Sequence, residues 1–301
     1  MVIFDSLEKI AVPTPCAVAL GLFDGVHKAH RAVLQAAADT ALPLAVFTFR
    51  TDRAVPASKP HFEPLMTPEH RARVLESLGC VYLAIPEFDE FSALSPEAFA
   101  EHVLVERMNA RAVCCGYDFR FGKNGAGDAA LLCELGKRFG FSVHVTDCMT
   151  VGGIPVSSTA MRRALSDGDM ALYRAMCGDD YTVTAPIRHG KALGRTLDFP
   201  TVNQPLDPAE KLPRFGVYVS DVQIGNAHFR GVSNIGIKPT VTDAHIPLCE
   251  THILGFHGDL YGQVISVRLL AFLRDEKKFC SVEELKSAIA ADRDAAKVFE
   301  E

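Results

Sequence analysis

The stretch that decides the fold of the first half is residues 16–30, CAVALGLFDGVHKAH. Its apolar run Cys16–Leu20 is short and nearly continuous, as expected for a strand buried on both faces. The glycines that follow permit a tight turn into a helix. His27 and His30 are three residues apart and therefore share a face in the first turns of that helix. A helix N-terminus attracts phosphate, and two imidazoles there can donate further hydrogen bonds. A His-x-x-His pair is also common as plain surface or core filling, so this signal alone leaves both interpretations open.

Outward from this stretch, further apolar runs alternate with helical segments. The runs are Leu44–Phe49, Val81–Ile85, Ala112–Cys115 and Phe141–Val145. Helix starts are indicated at Thr67-Pro68-Glu69 and Ser95-Pro96-Glu97, where a hydroxyl precedes a first-turn proline and an acid. Gly79 and Gly140 stand where helices end. This order predicts an α/β domain with a mostly parallel sheet covered by helices.

The pattern changes near residue 180. Alternating segments bounded by Gly, Pro and Asp then follow, which predict a small antiparallel β-barrel; they are Tyr181–Ile187, Phe215–Val222, Phe229–Asn234, Leu248–Leu254 and Val264–Leu270. Ser281 and Glu284 predict a capping box for a terminal helix. Asp292 interrupts the apolar stripe of this helix, so its packed part is expected to be short. Gly258–Gly262 is interpreted as a hairpin connection. The domains are predicted as residues 1–180 and 181–301.

Composition narrows the class of protein. The 301 residues are 48% hydrophobic and 23% charged, with a formal net charge of −6. These values are ordinary for a two-domain globular protein, and no long basic run suggests a nucleic-acid partner. The nine cysteines are odd in number and form no Cys-x-x-Cys pair, which favours buried thiols in a reducing cytoplasm. The N-terminus is a poor signal peptide, and no apolar stretch approaches the ~20 residues of a membrane helix.

Two more clusters in the first half carry polar chemistry. Residues 155–162, PVSSTAMR, place Ser157, Ser158 and Thr159 before a helical segment that contains Arg162. This is either a plain N-cap with a solvated arginine or a second anion site, where hydroxyls and a guanidinium bind phosphate. Residues 116–122, GYDFRFG, follow a predicted strand directly. Open α/β sheets place ligand loops at that point.

The densest motif lies in the second half, at residues 189–203, HGKALGRTLDFPTVN. Gly190 and Gly194 suit a loop whose backbone amides approach phosphates. Lys191 and Arg195 add positive charge to that loop. The alternative interpretation is a turn with solvated basic residues.

Polar residues on two extended segments complete the second half. Thr201 and Asn203 alternate, so their side chains point the same way, and two neutral oxygens held so can serve Mg²⁺. Glu250 shares a strand face with His252, and a carboxylate there must be paired, hydrated or functional. An edge-strand glutamate that faces water is the alternative.

The first-half motifs resemble the N-terminal domain of the bacterial riboflavin kinase/FAD synthetase family, a nucleotidylyltransferase with His-x-Gly-His and Ser-Ser-Thr-x-x-Arg motifs. The resemblance implies a Rossmann-like fold and an ATP-binding set of Gly21, Phe23, Asp24, His27, His30, Asp118, Ser158, Thr159 and Arg162. His27, His30 and Arg162 would act on the polyphosphate. Asp118 falls in the family's Gly-x-Asx-Phe-x-Phe-Gly loop. Ala29 departs from the pattern, because the family has Gly between the two histidines.

The second-half motif resembles the family's Gly-Arg-x-x-Gly-Phe-Pro-Thr-x-Asn core, with Asp198 where Gly is usual. A later segment, residues 234–240, is similar to Asn-Ile-Gly-x-(Arg/Lys)-Pro-Thr. The resemblance implies that Thr201 and Asn203 bind Mg²⁺ and ATP phosphates and that Glu250 is the general base. It places Arg274 and Phe279 beside the flavin ring.

The implied function is bifunctional flavin-cofactor synthesis. Riboflavin and ATP would give FMN, and FMN and a second ATP would give FAD and pyrophosphate. Two alternatives stay open on the sequence: a riboflavin kinase whose adenylyltransferase half is weakened by Ala29, and a non-catalytic flavin- or nucleotide-binding regulator. Neither the oligomeric state nor the route of FMN between sites follows from these patterns.

Overall fold

The computed structural model describes residues 1–51, 62–188, 199–237 and 246–300. The chain divides into two compact units, Met1–Ala160 and Met161–Glu301. The functional domain boundary predicted at residues 180 and 181 stays a prediction.

The first unit alternates strands and helices. Its strands are, in chain order, β1 (Val2–Phe4), β2 (Cys16–Leu20), β3 (Leu44–Phe47), β4 (Tyr82–Ala84), β5 (Ala110–Gly116), β6 (Arg120–Phe121), β7 (Gly127–Asp128), β8 (Ser142–Thr146), β9 (Thr150–Val151) and β10 (Ile154–Pro155). Its helices are α1 (Lys28–Ala38), α2 (Pro68–Ser77), α3 (Pro96–Ala98, continued as a π-helix over Phe99–Arg107) and α4 (Ala129–Phe139). Helix α5 (Ser158–Asp167) begins at its end.

The main sheet of this unit has the order β1-β4-β3-β2-β5-β8, and every pairing in it is parallel. The chain leaves β2 toward β3 on one side and later returns to β5 on the other. This reversal is the crevice where doubly wound sheets bind ligands, at the carboxyl ends of the strands. The predicted Rossmann-like parallel sheet is confirmed. The edge strand β1 was missed by the sequence reading, because a three-residue run that is mostly exposed has no buried pattern.

Two apolar cores cover the two faces of this sheet. Alternate residues of β2 point to opposite cores: Val18 packs with the π-helical segment and α4, and Ala19 packs with α1 and α2. Residues buried on both faces explain why the strand sequences are nearly continuous in apolar character.

The predicted helix ends are also confirmed. Thr67 Oγ1 accepts from the backbone N–H of His70 at 3.3 Å, and Ser95 Oγ accepts from that of Ala98 at 3.1 Å. Gly140 ends α4 in the left-handed region at φ +82°. These local signals are readable in sequence because each involves atoms only three or four residues apart.

The second unit continues with α6 (Met170–Cys177) and an antiparallel sheet. Its strands are β11 (Tyr181–Pro186), β12 (Thr201–Pro205), β13 (Gly216–Ile224), β14 (Ala227–Ile237), β15 (Pro247–Ile253) and β16 (Val264–Arg274), and α7 (Val282–Val298) follows. The strand order is β11-β16-β13-β14-β15-β12. Gln204 Nε2 on β12 donates to Ala185 O on β11 at 2.8 Å, so the two outer strands meet and the sheet curls. The predicted antiparallel barrel-like domain with a terminal helix is confirmed.

Two details of this unit correct the sequence reading. The segment Gly258–Gly262 is not a hairpin, because β15 pairs with β14 and β12 whereas β16 pairs with β11 and β13. Asp292 does not interrupt the packed face of α7, since Asp292 and Ala296 are the buried residues of this helix, and the fully buried part is short, as expected. Asp292 is buried because it forms an ion pair with Arg274, which a hydrophobic stripe does not reveal.

No helix in the described part of the chain is long and apolar enough to cross a membrane.

Candidate active site

The turn after β2 builds the first half of the site. His27 is the N-cap of α1, and its Nδ1 accepts from the backbone N–H of His30 at 3.2 Å. The two rings stack with centroids 3.6 Å apart. Burial lowers the pKa of His27 to about 4, and only 5% of the residue is exposed. Because Nδ1 accepts, a neutral His27 carries its proton on Nε2, which can donate to a ligand.

The turn contains a buried residue in a strained backbone conformation, which the surrounding packing holds in place. Gly21 leads into Phe23, which is fully buried and has a positive φ of 54°. Phe23 packs beside the His30 ring at 5.1 Å. Only a few per cent of non-glycine residues adopt such a φ, so this conformation depends on the surrounding structure. The predicted roles of Gly21 and Phe23 at phosphate stay predictions.

Asp24, predicted to bind ATP, is buried within the turn and hydrogen-bonded to the backbone. Its carboxylate is fully buried and accepts from the backbone N–H groups of Leu65 at 2.8 Å and Met66 at 3.1 Å. Its carbonyl accepts from Ser158 Oγ at 2.7 Å. The carboxylate therefore joins the turn to the chain before α2, and a contact of Asp24 with ATP stays a prediction.

The Ser158 hydrogen bond brings two separate sequence motifs together. Ser157 is the hydroxyl that caps α5, accepting from Ala160 N–H at 3.2 Å, so Ser158 and Thr159 lie inside the first turn. Thr159 is exposed. Arg162 lies four residues after Ser158, on the same face of the helix. The second motif thus meets the glycine turn through Ser158, and the anion role of Thr159 and Arg162 stays a prediction.

Two residues that the sequence reading did not single out support this turn. Arg71 of α2 is 1% exposed and donates to the carbonyls of Leu22 and Phe49, both at 2.8 Å. Thr48 Oγ1 donates to the same Leu22 carbonyl at 2.9 Å. An arginine in a helix gives no sequence sign that it is buried, so only the fold reveals it.

Asp118 lies on the loop that follows β5. Since β5 pairs directly with β2, this loop and the glycine turn leave the same edge of the sheet. Asp118 is exposed, and its Oδ1 is 3.2 Å from the position a Cβ would take at Gly116. The edge shared by the two loops is the ligand crevice of this fold class.

The second half of the site is a row of side chains across the antiparallel sheet. In the β12–β15 pairing Asn203 lies directly opposite Glu250, and Thr201 lies opposite His252. In the β14–β15 pairing Asn234 lies opposite Glu250 from the other side. Directly paired residues point to the same face, so Asn203, Glu250 and Asn234 form one row.

The environment of this row is only partly open. Asn203 is 7% exposed, whereas Thr201 and Glu250 are half-buried. β15 lies between two strands, so Glu250 is not the edge-strand glutamate of the alternative interpretation. His252 Nδ1 and the Pro200 carbonyl are 2.9 Å apart, a hydrogen bond that connects β15 to the start of β12. Asn234 was quoted within a motif but not recognised as a neighbour of Glu250.

A pocket of about 80 Å³ opens beside Thr201. It lies between the start of β12 and the loop that follows β15, and its walls are Ile187, Pro200, Thr201, Val202, Ile253, Phe256, Gly258, Asp259, Leu260 and Tyr261. The walls are mostly apolar, and Thr201, Asp259 and Tyr261 add polar groups.

The predicted flavin contacts lie at the end of β16. Arg274 forms an ion pair with Asp292, with Nη2 2.7 Å from Oδ2. The guanidinium carbon lies 5.7 Å from the ring centroid of Phe279. The predicted loop residues Gly190, Lys191, Gly194 and Arg195, and the departure Asp198, lie outside the described residues.

A Rossmann-like half with a histidine-capped turn and an antiparallel half with a Thr-Asn-Glu face are the arrangement expected of a two-part nucleotide-dependent transferase. Comparison with known proteins agrees. The FAD synthetase family matches residues 9–160, and the riboflavin kinase family matches residues 177–299. The chain belongs to the bifunctional riboflavin kinase/FMN adenylyltransferase family and carries both of its domains.

Individual relatives extend over nearly the whole chain. The Escherichia coli strain K12 bifunctional riboflavin kinase/FMN adenylyltransferase is 37% identical, over 94% of this chain and 92% of its own. The Haemophilus influenzae protein of the same name is 34% identical, over 94% of both chains. A crystal structure titled as a macrolide-efflux protein from Streptococcus pneumoniae has a TM-score of 0.85 and 29% identity, and covers 99% of both chains.

Proposed function

We propose that the protein makes FMN from riboflavin in the half that begins near residue 181 and converts FMN to FAD in the half before it. The observation that carries the kinase assignment is the position of Glu250, directly between Asn203 and Asn234 on one sheet face. The two flavin activities are those of the family to which the chain belongs. The comparisons give no support to the kinase-only and non-catalytic alternatives.

In the kinase step, Glu250 takes the proton from a ribityl hydroxyl of riboflavin. The oxygen forms a bond to the γ-phosphorus of ATP while the bond to the β-phosphate oxygen breaks, and ADP leaves. A carboxylate suits this role because a base near the attacking hydroxyl contributes about 10²–10⁴-fold in rate. Arg274 and Phe279 would border the flavin ring.

The donor set beside Glu250 fits Mg²⁺. Thr201 Oγ1 and Asn203 Oδ1 are hard, neutral oxygens on the same strand face, next to a carboxylate. No cluster of three or more His, Cys, Asp or Glu that could hold a metal occurs in residues 1–51, 62–188, 199–237 and 246–300. As the family resemblance implies, Thr201 and Asn203 would hold a Mg²⁺ that arrives with ATP, and the ion would supply charge neutralisation at the phosphates.

In the adenylylation step the FMN phosphate is its own nucleophile. One of its oxygens bonds to the α-phosphorus of a second ATP, and pyrophosphate leaves. The protein has to align these groups and stabilise charge on the leaving group. His27 can donate through Nε2, and the N-terminal amides of α1 lie beside it. His30, Ser158, Thr159 and Arg162 would complete the set.

The ligands proposed for the whole protein are riboflavin, FMN, FAD and ATP. We infer a cytoplasmic location without a membrane or nucleic-acid partner. In support, all nine cysteines lie in the described ranges as free thiols, and most of them are buried. The net charge of −6 gives no electrostatic reason to bind nucleic acid.

One assay tests the function. The purified protein is incubated with riboflavin, ATP and Mg²⁺, and the flavins are separated by chromatography. FMN followed by FAD is the expected result. FMN without FAD, even when FMN is supplied directly, would point to the kinase-only alternative, and unchanged riboflavin would overturn the kinase assignment.

A further inference from the structure

Three consecutive charged residues, 274–276, lie at the end of β16 and just after it, and each is held by a different part of the second unit. Arg274 bonds to Asp292 of α7, Asp275 bonds to Arg214 before β13, and Glu276 bonds to Asn234 of β14. The three bonds therefore tie this short segment to three different elements of the unit. We call residues 274–276 and these three partners the clamp.

The Arg274–Asp292 pair is the least exposed member of the clamp, with side-chain exposures of 26% for Arg274 and 9% for Asp292. Arg274 Nε lies 3.0 Å from Asp292 Oδ1, and Nη2 lies 2.7 Å from Oδ2. Asp292 is 7% exposed. A two-bond guanidinium–carboxylate pair fixes orientation as well as distance. Breaking such a buried pair is costly, whereas the exposed Arg214–Asp275 pair contributes little.

The Glu276 bond reaches the proposed catalytic row. Asn234 Nδ2 donates to Glu276 Oε1 at 2.8 Å, and Asn234 is the direct neighbour of Glu250 in the β14–β15 pairing. A side chain at position 236 would collide with the Glu276 carboxylate, so Gly236 allows this close approach. The clamp therefore joins the segment after β16 to the strand beside Glu250.

The Arg274 end of the clamp reaches Phe279. Its guanidinium lies over the Phe279 ring at 5.7 Å, within the range of a cation–π contact. Lys277 Nζ lies 4.9 Å from the centroid of the same ring. Because Asp292 fixes the guanidinium, it also fixes the surface against which Phe279 rests.

We propose that Asp292 is a positioning residue for riboflavin: through Arg274 it fixes the segment 274–279 beside the Asn234–Glu250 pair, and it does so without touching the substrate. This rests on the proposed kinase function of the same half. The terminal helix thereby becomes part of substrate recognition rather than only a cover for the sheet.

A second Asp–Arg pair in the same unit provides a matched control. Asp221 is 9% exposed and accepts from Arg268 Nε at 3.1 Å and Nη2 at 2.9 Å. Its burial is close to that of Asp292, although both Arg268 bonds reach one oxygen, Oδ2, which also lies 2.8 Å from His228 Nδ1. Asp221 pairs with Arg268 in the middle of β16, away from the Arg274 end of that strand. Asp292→Asn should raise the KM for riboflavin about tenfold, change kcat less than about threefold and leave the KM for ATP unaltered. Asp221→Asn should lower Tm to a similar degree and leave all three constants unaltered.

Hydrogen exchange of the full-length protein tests the clamp apart from activity. Asp292→Asn should speed exchange in residues 275–280, and Asp221→Asn should not. If the kinase assignment fails, the exchange result still stands, so the two failures are distinguishable. Equal KM changes in both variants, or unchanged exchange in residues 275–280, would overturn the proposal.

A second variant applies if Asp292→Asn does not fold. Glu276→Ala removes the exposed hydrogen bond to Asn234 and should raise the KM for riboflavin by about threefold. An unaltered KM for riboflavin would then overturn the proposal.

Discussion

The two halves of the molecule gather polar groups in different ways. In the first unit, parallel strands end at one edge, and the turn after β2 and the loop after β5 bring backbone amides and side chains there. In the second unit, antiparallel strands place Asn203, Glu250 and Asn234 in one row across a sheet face. A parallel sheet thus collects loops at its end, whereas an antiparallel sheet collects side chains across its width.

This difference predicts that single side chains matter most in the second unit. Glu250→Gln keeps the size of the residue but removes the base, so FMN formation should fall about 1,000-fold in kcat. FMN supplied directly should still become FAD at the normal rate. Chromatographic rate measurements on both steps check this, with the exposed Glu283→Gln as a control. Loss of both activities in a folded Glu250→Gln protein would contradict the separation of the two halves.

In the first unit, we expect the stability of the fold to depend on pH through the buried His27. His27 has a folded pKa of about 4 and an ordinary unfolded value of about 6.5. The folded state binds fewer protons between these values, so stability is full above about pH 6.5 and falls as the pH drops toward 4. The loss from this group is about 3 kcal/mol.

Denaturant midpoints at pH 7 and pH 5 measure this effect. His27→Asn keeps an acceptor at the N-cap but does not titrate, so it should remove most of the pH dependence of the first unit. His102→Asn, at an exposed histidine, should leave the dependence as in the wild type. The same pH dependence in wild type and His27→Asn would disprove the assignment.

A third substitution tests whether FAD formation depends on the hydrogen bond between the start of α5 and the turn after β2. Ser158→Ala removes the 2.7 Å bond to the Asp24 carbonyl, and FAD formation should fall about tenfold. FMN formation should not change. Ser157→Ala, which removes the cap of α5 but not this bond, is the control for general loss of helix stability. A larger effect from Ser157→Ala would show that helix stability, not the bond, is decisive.

The smallest effect is expected at Ala29. This residue lies in the first turn of α1 and is half-buried. Ala29→Gly restores the residue that the family usually has between the two histidines, and FAD formation should stay unchanged or rise by a few-fold. Steady-state rates with FMN and ATP decide this. A clear fall in rate would show that the rest of the turn is adapted to alanine.

Much of the local structure was predictable because its causes are local. The caps at Thr67 and Ser95, and the chain reversal at Gly140, involve neighbours in sequence. The short, nearly continuous apolar runs of strands that are buried on both faces predicted the parallel sheet. The interactions that were missed join residues far apart in the sequence. Arg71 donates to the carbonyls of Leu22 and Phe49, which are 49 and 22 residues away from it. Asp292 pairs with Arg274, which is 18 residues away.

From the amino-acid sequence alone we could predict the kinds of chemistry proposed for the two halves and their order along the chain. This was possible because glycine turns, hydroxyl caps, histidine spacing and strand alternation are local patterns. The sequence placed Glu250 on a strand and gave that strand a polar face. The strands that lie beside β15 became known from the fold, because a period of two fixes the face of a residue but not its partner. The pairings Asn203–Glu250–Asn234 and Arg274–Asp292 follow from the strand order β14-β15-β12 and the path of the last helix, and no local pattern contains either.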